Sequence, residues 1–538
     1  MATVPKDMTA SEKVKLIIDE KVKAMQEKED DGLEGIKPEI YKKRWAILVT
    51  VCIALLGVML ANSSINLALP EMSVDLGLTQ ITMTWIANTY TLVFASLLFF
   101  AGAFGDRYGR KLALQIGSII FTAASLYAGF FAKTGEELIA ARAVMGLGGA
   151  LVMPTTLSII NNVFPSKERP RAVAIWSGIS GAGMMLGTIV SGILLEHFSW
   201  KSLFFLSAII AGIGLIINQI FVPENKDEEA NNVDWLGGVL ATIGIFGLIY
   251  GITEAPDKGL GDHLVQLGLI GGLVSIISFY FWERKTSTPL LDMDLFKNRA
   301  FLISTITLIF TFLAMMGLLF STSQLQQLIM GMTPFDASLT LIPMILPILL
   351  LAPIVPTIVK KAGARITIST GLFLISISFV FMHFWTKDLS LWQMLWPMML
   401  LMTGLALAMT PGTNILMSSV PRNRSGMGSA MNDTTRELGG ALGVAILGSI
   451  ISSAYKTNIH PHLAALPEQA RTAIEGSLAA GLHVFGQMGP AGASLVDTAK
   501  TAWMDAFQTS SLVAAAISFV TAAVALLFLP KATSIVED

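Results

Sequence analysis

The segment Asn432-Asp433-Thr434-Thr435-Arg436-Glu437-Leu438-Gly439-Gly440 places three ionisable side chains inside an otherwise apolar run. Asp433 and Glu437 stand four residues apart, so in a helix they share one face. If that helix starts near residue 424 and rises about 1.5 Å per residue, they lie roughly 14 and 20 Å along it. That is the middle of a hydrocarbon slab about 30 Å thick. Two carboxyls that close in a low dielectric cannot both ionise cheaply, so one is expected to keep its proton near neutral pH. A reversible proton carrier needs such a group. Arg436 is expected to organise this charge; the alternative is that it neutralises Asp433 within the helix. Arg142 is a further charge set just inside the end of an apolar run. Burying it is expensive, which marks a functional residue by default, unless the side chain snorkels to the surface.

Other chemistries find no residues. The single cysteine, Cys52, lies in the first apolar run, which excludes a disulfide framework and a cysteine metal cluster. The six histidines fall in or beside connecting loops, and none has HExxH spacing. His460 and His462 read as a solvated, proline-marked loop or a surface metal site. With no nucleophile–base set and no Walker sequence, no catalytic residue, metal or cofactor is expected, and an enzyme is disfavoured. The net charge of −2 gives no field that would attract nucleic acid.

The chain of 538 residues is 53% hydrophobic and 14% charged, with mean hydropathy +0.66. Soluble domains carry about 25% charged residues, so an all-α integral membrane protein is expected. About fourteen runs are long enough to cross a bilayer: 45–69, 82–104, 112–132, 137–162, 172–194, 201–222, 235–252, 264–282, 300–321, 337–359, 365–385, 390–417, 427–453 and 506–529. Lysine and arginine crowd alternate loops, as in Arg107-Tyr108-Gly109-Arg110-Lys111 and Lys360-Lys361. The positive-inside rule then puts both termini in the cytoplasm of a multi-pass plasma-membrane protein.

Residues 1–44 form the expected cytoplasmic tail. In it, Thr9 and Glu12 cap a helix whose Val14, Ile17, Ile18, Val22 and Met25 recur at amphipathic spacing. A six-helix bundle is expected over 45–222, two inserted helices over 235–282 and a second six-helix bundle over 300–529. The stretch 454–505 is expected to be a long outer loop with a small hairpin cap, and 530–538 a second cytoplasmic tail. The basic glycine turns at 105–111 and 359–365 are a weak internal repeat, as in transporters whose site lies between two halves. Pro343, Pro347, Pro353 and Pro411 are expected to bend spans ten and twelve.

Four motifs resemble the major facilitator superfamily, and within it the fourteen-span drug:proton antiporters of the quaternary-ammonium and multidrug efflux type. Gly102-Ala103-Phe104-Gly105-Asp106-Arg107-Tyr108-Gly109-Arg110-Lys111 is similar to the superfamily's inner-loop signature. The resemblance implies a conformational latch in which Gly102, Gly105 and Gly109 allow the turn and Asp106, Arg107 and Arg110 carry the charge. Arg142, followed by Gly146, Gly148 and Gly149, resembles a membrane-embedded arginine motif implicated in proton transfer. Gly183, Gly187 and Gly192 resemble the antiporter helix-packing motif, although Thr188 stands where that motif has proline. Ser64-Ile65-Asn66-Leu67-Ala68-Leu69-Pro70 resembles the fourteen-span subfamily's first-helix signature. Its members place an aspartate five residues before the asparagine; here that position is Ala61.

The resemblance implies a major-facilitator fold, and proton coupling through Asp433, Glu437, Arg142 and Arg436. The implied activity is export of amphipathic drugs or toxic lipophiles by alternating access, a drug-resistance function. The partners are then a small amphipathic substrate, protons and the lipid bilayer, and the chain is expected to act as a monomer. The substrate cavity is expected to draw on Asn62, Asn66, Trp85, Asn88, Tyr90, Gln327, Met402 and Asn414, polar or soft groups in or near spans. Three other readings remain open: a specific exporter of an anionic or neutral amphiphile such as a fatty acid, bile salt or metabolite, which Ala61 favours; a passive facilitator; and a non-transporting membrane receptor.

Overall fold

The computed structural model describes residues 36–165, 168–224, 234–420 and 425–530, and these are helical throughout, with no strand among them. The helices are α1 Pro38–Leu76, α2 Gln80–Tyr108, α3 Arg110–Phe130, α4 Gly135–Val163, α5 Arg169–His197, α6 Lys201–Phe221, α7 Trp235–Lys258 and α8 His263–Glu283. Then come α9 Arg299–Ile329, α10 in three pieces (Pro334–Leu339, Leu341–Leu351 and Val355–Ala362), α11 Ala364–His383, α12 Leu391–Ser418 and α13 Ser425–Ile459. Two short helices, α14 Glu468–Gly476 and α15 Leu478–Gln487, precede α16 Pro490–Phe528. Their starts are written in the sequence: Thr134 with Glu137 and Ser390 with Gln393 form capping boxes, and Gly77 ends α1 in the left-handed region.

Among the described residues thirteen helices are long and apolar enough to cross a membrane. The expected span 172–194 falls on α5, of which only the stretch Leu186–His197 is described as an apolar helix. One hydrophobic core runs from Ile47 on α1 to Val222 after α6 and takes in Phe320, Ala337 and Val444 of the second half, and a second runs from Ile303 on α9 to Leu529 after α16. Glycines let helices approach within each half: a Cβ on Gly443 would stand 2.9 Å from the Leu313 carbonyl carbon, and one on Gly404 2.8 Å from Ile375. In lipid, where no hydrophobic effect drives helices together, such small-residue contacts supply the packing. α7 and α8 form a hairpin through Gly247, whose Cβ would lie 2.9 Å from the Gly268 carbonyl, and α7 leans on both α2 and α13.

Two expectations are corrected. α1 begins at Pro38, inside the expected tail, and Arg44 on it bonds the carboxylate of Glu168 before α5 at 2.6 Å; the amphipathic segment around Thr9 to Met25 lies outside the described residues. The expected loop 454–505 is largely helix, because α13 runs to Ile459 and α16 starts at Pro490. What remains folds as α14 and α15, with the Ser477 hydroxyl donating to the Leu78 carbonyl at 3.0 Å. Span ten lies in three pieces, with Pro353 in its second break, and Pro397 and Pro411 lie inside the continuous α12.

Candidate functional site

Pro38 and Tyr108 mark one face of the bundle, the near face; Leu76 and Gln80 mark the far face. α13 rises from the near face against α9 because Gly439 and Gly443 bring the two backbones together. That packing sets the Arg436 guanidinium 4.8 Å over the Phe312 ring. Arg436 is therefore turned to an aromatic face, and among the described residues it forms no salt bridge with Asp433 or Glu437. Among the described residues Asp433 accepts only from Asn432 Nδ2, at 3.2 Å. All three charged side chains are half-buried. Around them, Asn432 Oδ1 and the hydroxyls of Thr434 and Thr435 are buried with no protein partner, as are those of Ser304 and Thr305 on α9. Buried polar groups are normally satisfied, so this cluster suits a hydrogen-bonding guest.

Arg142 on α4 is fully buried rather than snorkelling. Its three nitrogens donate to the carbonyls of Ile86 at 3.0 Å, Ala61 at 3.1 Å and Ala87 at 3.3 Å, and its guanidinium lies 4.5 Å above the Tyr90 ring. The cation thus ties α4 to α1 and α2 through main chain, with no carboxylate among its bonded partners.

The other expected cavity residues separate by role. Tyr90 supports Arg142 from within the first core, stacked on Phe94 at 5.8 Å, with its buried hydroxyl unpartnered. Met402 is in the second core, and Asn414 is exposed on α12. Trp85 turns to the hairpin: its indole N–H donates to Glu254 Oε1 at 2.5 Å, and its rings meet Phe246 and Tyr250. Asn88 donates to the Ala441 carbonyl at 2.9 Å, and Gln327 to the Leu67 carbonyl at 2.9 Å, so both join the halves. Asn62, which accepts from Thr91 at 3.3 Å, and Asn66, whose Oδ1 has no partner, stay half-buried. Two concavities, one around Met332 and Pro343 and one around Ile306 and Val520, contain none of these residues.

The halves meet towards the far face. Besides Asn88 and Gln327, a Cβ on Gly448 would lie 2.9 Å from the Thr84 hydroxyl, and one on Gly192 would lie 3.0 Å from the Pro334 carbonyl. Gly183 and Gly187 instead seat α5 on α1, against Met59 and Leu60. At the near face Gly109 turns the chain at φ 126°, where a Cβ would meet Glu224, and Lys111 donates to the Gln219 carbonyl at 2.8 Å. Gly105 packs against Thr155 and Gly102 near Pro154. The Asp106 side chain lies outside the described residues.

Sequence reasoning missed Glu254, Asp234 and Glu283 on the hairpin, and Gln324, whose amide is 1% exposed with both polar atoms unpartnered. The signal for the acids was the rarity of carboxyls near apolar spans.

The Major Facilitator Superfamily profile matches residues 51–444. The multidrug efflux pump LfrA of Mycolicibacterium smegmatis is 31% identical over 484 residues, covering 90% of this chain and 95% of that one. The methyl viologen resistance protein SmvA of Salmonella typhimurium is 27% identical, covering 86% and 93%. Among solved structures, a bacterial homologue of the human lysosomal transporter Spinster, inward-facing and unoccupied, shares the fold with a TM-score of 0.58 and 18% identity, covering 93% of this chain and all of that one.

Proposed function

The chain belongs to the Major Facilitator Superfamily and is a multi-pass membrane transporter of the drug-efflux type, not an enzyme, and from that premise we propose that it exports amphipathic drugs or toxic lipophiles in exchange for protons. The near face, with the basic turns at Arg107 to Lys111 and Lys360 to Arg365, is cytoplasmic in this reading. The observation that carries it is the state of Asp433 and Glu437: two carboxyls one helical turn apart, without ion pairs among the described residues, amid unpartnered hydroxyls. They sit one to two turns on the near side of Ala441, where Asn88 closes the seam. A proton arriving from outside would neutralise the pair and displace a bound substrate, biasing the empty carrier towards return. Arg142 would hold α1, α2 and α4 as one moving body. The partners are the small substrate, protons and bilayer, and the working unit is a monomer.

A second reading keeps the fold and changes the cargo. Ala61 stands where the resemblance to the cation pumps implies an aspartate, so this position carries no acid. With no acid there, a neutral or anionic amphiphile fits the α1 side of the interior better than a cation does.

The test is proton flux in proteoliposomes, with cationic, neutral and anionic amphiphiles added across a pH gradient. Discharge by a cation in the wild type, lost in Asp433→Asn and Glu437→Gln, supports drug:proton exchange. Discharge by anions or neutral compounds alone selects the second reading. Substrate movement without proton flux makes the chain a facilitator.

A further inference from the structure

The inserted hairpin ends at the near face in a second carboxyl pair, which the transport reading does not use. Asp234, the residue before α7, is 7% exposed, and Glu283, the last residue of α8, is 3% exposed. A Cβ on Gly237 would strike Glu283 Oε1 and lie 2.8 Å from Asp234 Oδ2, so both oxygens border one small volume. Asp234 Oδ1 accepts from Gly237 N–H at 2.9 Å and from the Trp282 indole N–H at 3.0 Å, whereas Oδ2 takes only that same indole N–H, at 2.8 Å, and keeps room for one more donor. Glu283 is half-occupied. Its Oε2 accepts from Leu291 N–H at 2.9 Å, while Oε1, buried and turned towards Asp234, has no partner. Neither carboxyl has a salt bridge among the described residues.

Among the described residues no cation pairs with either carboxyl. Phe100 of α2 lies 4.5 Å from the Trp235 ring, and Leu290 packs on Gly238. The charged groups on the neighbouring elements are Arg107 on α2, Arg284 and Lys285 after α8, and Asp292, Asp294, Lys297 and Arg299 on the way to α9. Arg284 and Lys285 are exposed, with Arg284 held by the Tyr280 hydroxyl at 3.4 Å. Lys297 is spent on Asp294 at 2.7 Å in an exposed pair. Two buried carboxylates at this spacing, with no cation, repel; one proton between them turns repulsion into a hydrogen bond and gives Glu283 Oε1 its missing partner.

The consequence runs along the linker. Leu291, held by Glu283, belongs to an apolar cluster with Met293, Leu295, Phe301, Leu416, Val420 and Met431. Met431 stands on α13, two residues before Asp433. We propose that Asp234 and Glu283 together form one proton-binding site at the near-face end of the inserted hairpin, and that the proton there pins the linker 284–298 against the base of α13. The proton comes from water at the near face and bonds a Glu283 oxygen; that O–H then donates to Asp234. Loss of the proton leaves two negative charges that part, releasing the Leu291 anchor. The site stands whether or not the α13 pair couples transport to protons.

The experiment uses the full chain in lipid nanodiscs, with Cys52→Ser as background and a spin label on the exposed linker residue Ser287. Label mobility and the infrared carboxylic-acid band are followed from roughly pH 5 to 9, a range bracketing ordinary and buried carboxyls. The wild type should show mobility rising as pH rises, together with loss of acid-band intensity. Glu283→Gln, which keeps an oxygen and adds a donor, should stay immobile at every pH and lose that part of the band. Asp234→Asn, still a competent N-cap, should remove the transition as well, whereas Asp433→Asn should leave it in place. A wild type without a transition, or a Glu283→Gln chain that keeps it, overturns the proposal. Thermal unfolding of each variant separates a lost proton site from a lost fold.

Discussion

Arg142 donates from Nη1 to the backbone carbonyl of Ala61 at 3.1 Å, so the fully buried arginine grips α1 by its main chain. With the bonds to Ile86 and Ala87, three carbonyls and the Tyr90 face stand in for a counter-ion. A planar, forked guanidinium can meet three carbonyls on two helices at once, and an ammonium cannot.

Arg142→Lys should therefore lower transport about tenfold or more while the protein still inserts. Hydrogen bonds from a charged donor are worth about 1.5–3 kcal/mol each, and one or two would be lost. Initial-rate uptake into vesicles, with thermal unfolding as a control, measures it. Transport at the wild-type rate would remove Arg142 from the moving core.

Asp433→Asn and Glu437→Gln should be non-additive. If the two carboxyls share one site, either change removes most of the proton flux, and the double variant falls little further. A double variant whose loss equals the product of the single losses would describe two independent sites.

Asn88→Leu and Gln327→Leu each cut a hydrogen bond that joins the halves. At about 1 kcal/mol per bond, the far-face-open population should rise about fivefold. The chain has one cysteine, Cys52, so a Cys52→Ser background with Thr84→Cys reports opening by alkylation rate. Unchanged alkylation would place the controlling contacts elsewhere.

Trp85→Phe should loosen the hairpin without harming α2. The ring's apolar contacts with Phe246 and Tyr250 survive in part, but the indole donor to Glu254 is lost. A cost of about 1.5–3 kcal/mol is expected for this charge-assisted bond. Glu254 also pairs with Lys258 at 3.1 Å, so Glu254→Gln in the Trp85→Phe background should cost only that second, partly exposed contact, which a double-mutant cycle on thermal unfolding reads directly.

At the near face, hydrogen bonds from Arg44 hold the Glu168 carboxyl below the usual carboxylate range, helped by the Tyr41 hydroxyl and opposed by burial. A depressed carboxyl stabilises the fold above its unfolded value of about 4.3 and loses that contribution as pH falls through the lower folded value. The fluorescence of Trp45, beside Arg44, should change in that acid window, and Glu168→Gln should abolish the change.

Much of this was legible in the sequence because membranes simplify the grammar. Apolar runs located the helices, but the close approaches at Gly439 and Gly443 came only with the partner backbone of α9. The ends were harder, since a helix does not stop where its lipid contact stops. Placing the seventh span at 235–252 left Glu254 in a loop, whereas α7 continues to Lys258. A one-residue margin likewise hid Asp234 and Glu283 outside the spans. Side-chain direction was less legible still. Nothing in Trp85, Tyr90 or Met402 as residue types says whether they face an interior cavity, a neighbouring helix or a core, because that depends on partners far away in the chain.

The α7–α8 hairpin touches both halves: Trp85 holds Glu254 from one side, while on the other Ser449 donates to the Ile252 carbonyl at 3.1 Å and Lys456 pairs with Asp257 at 3.3 Å. It thereby roofs the seam between α2 and α13 with its own apolar surface, and the seam between α5 and α10 has no comparable cover among the described residues. The perimeter is lopsided. A greasy molecule dissolved in the surrounding lipid would meet the hairpin on one flank and, among the described residues, a bare but closely packed helix–helix joint on the other, so the two flanks present it with unlike surfaces.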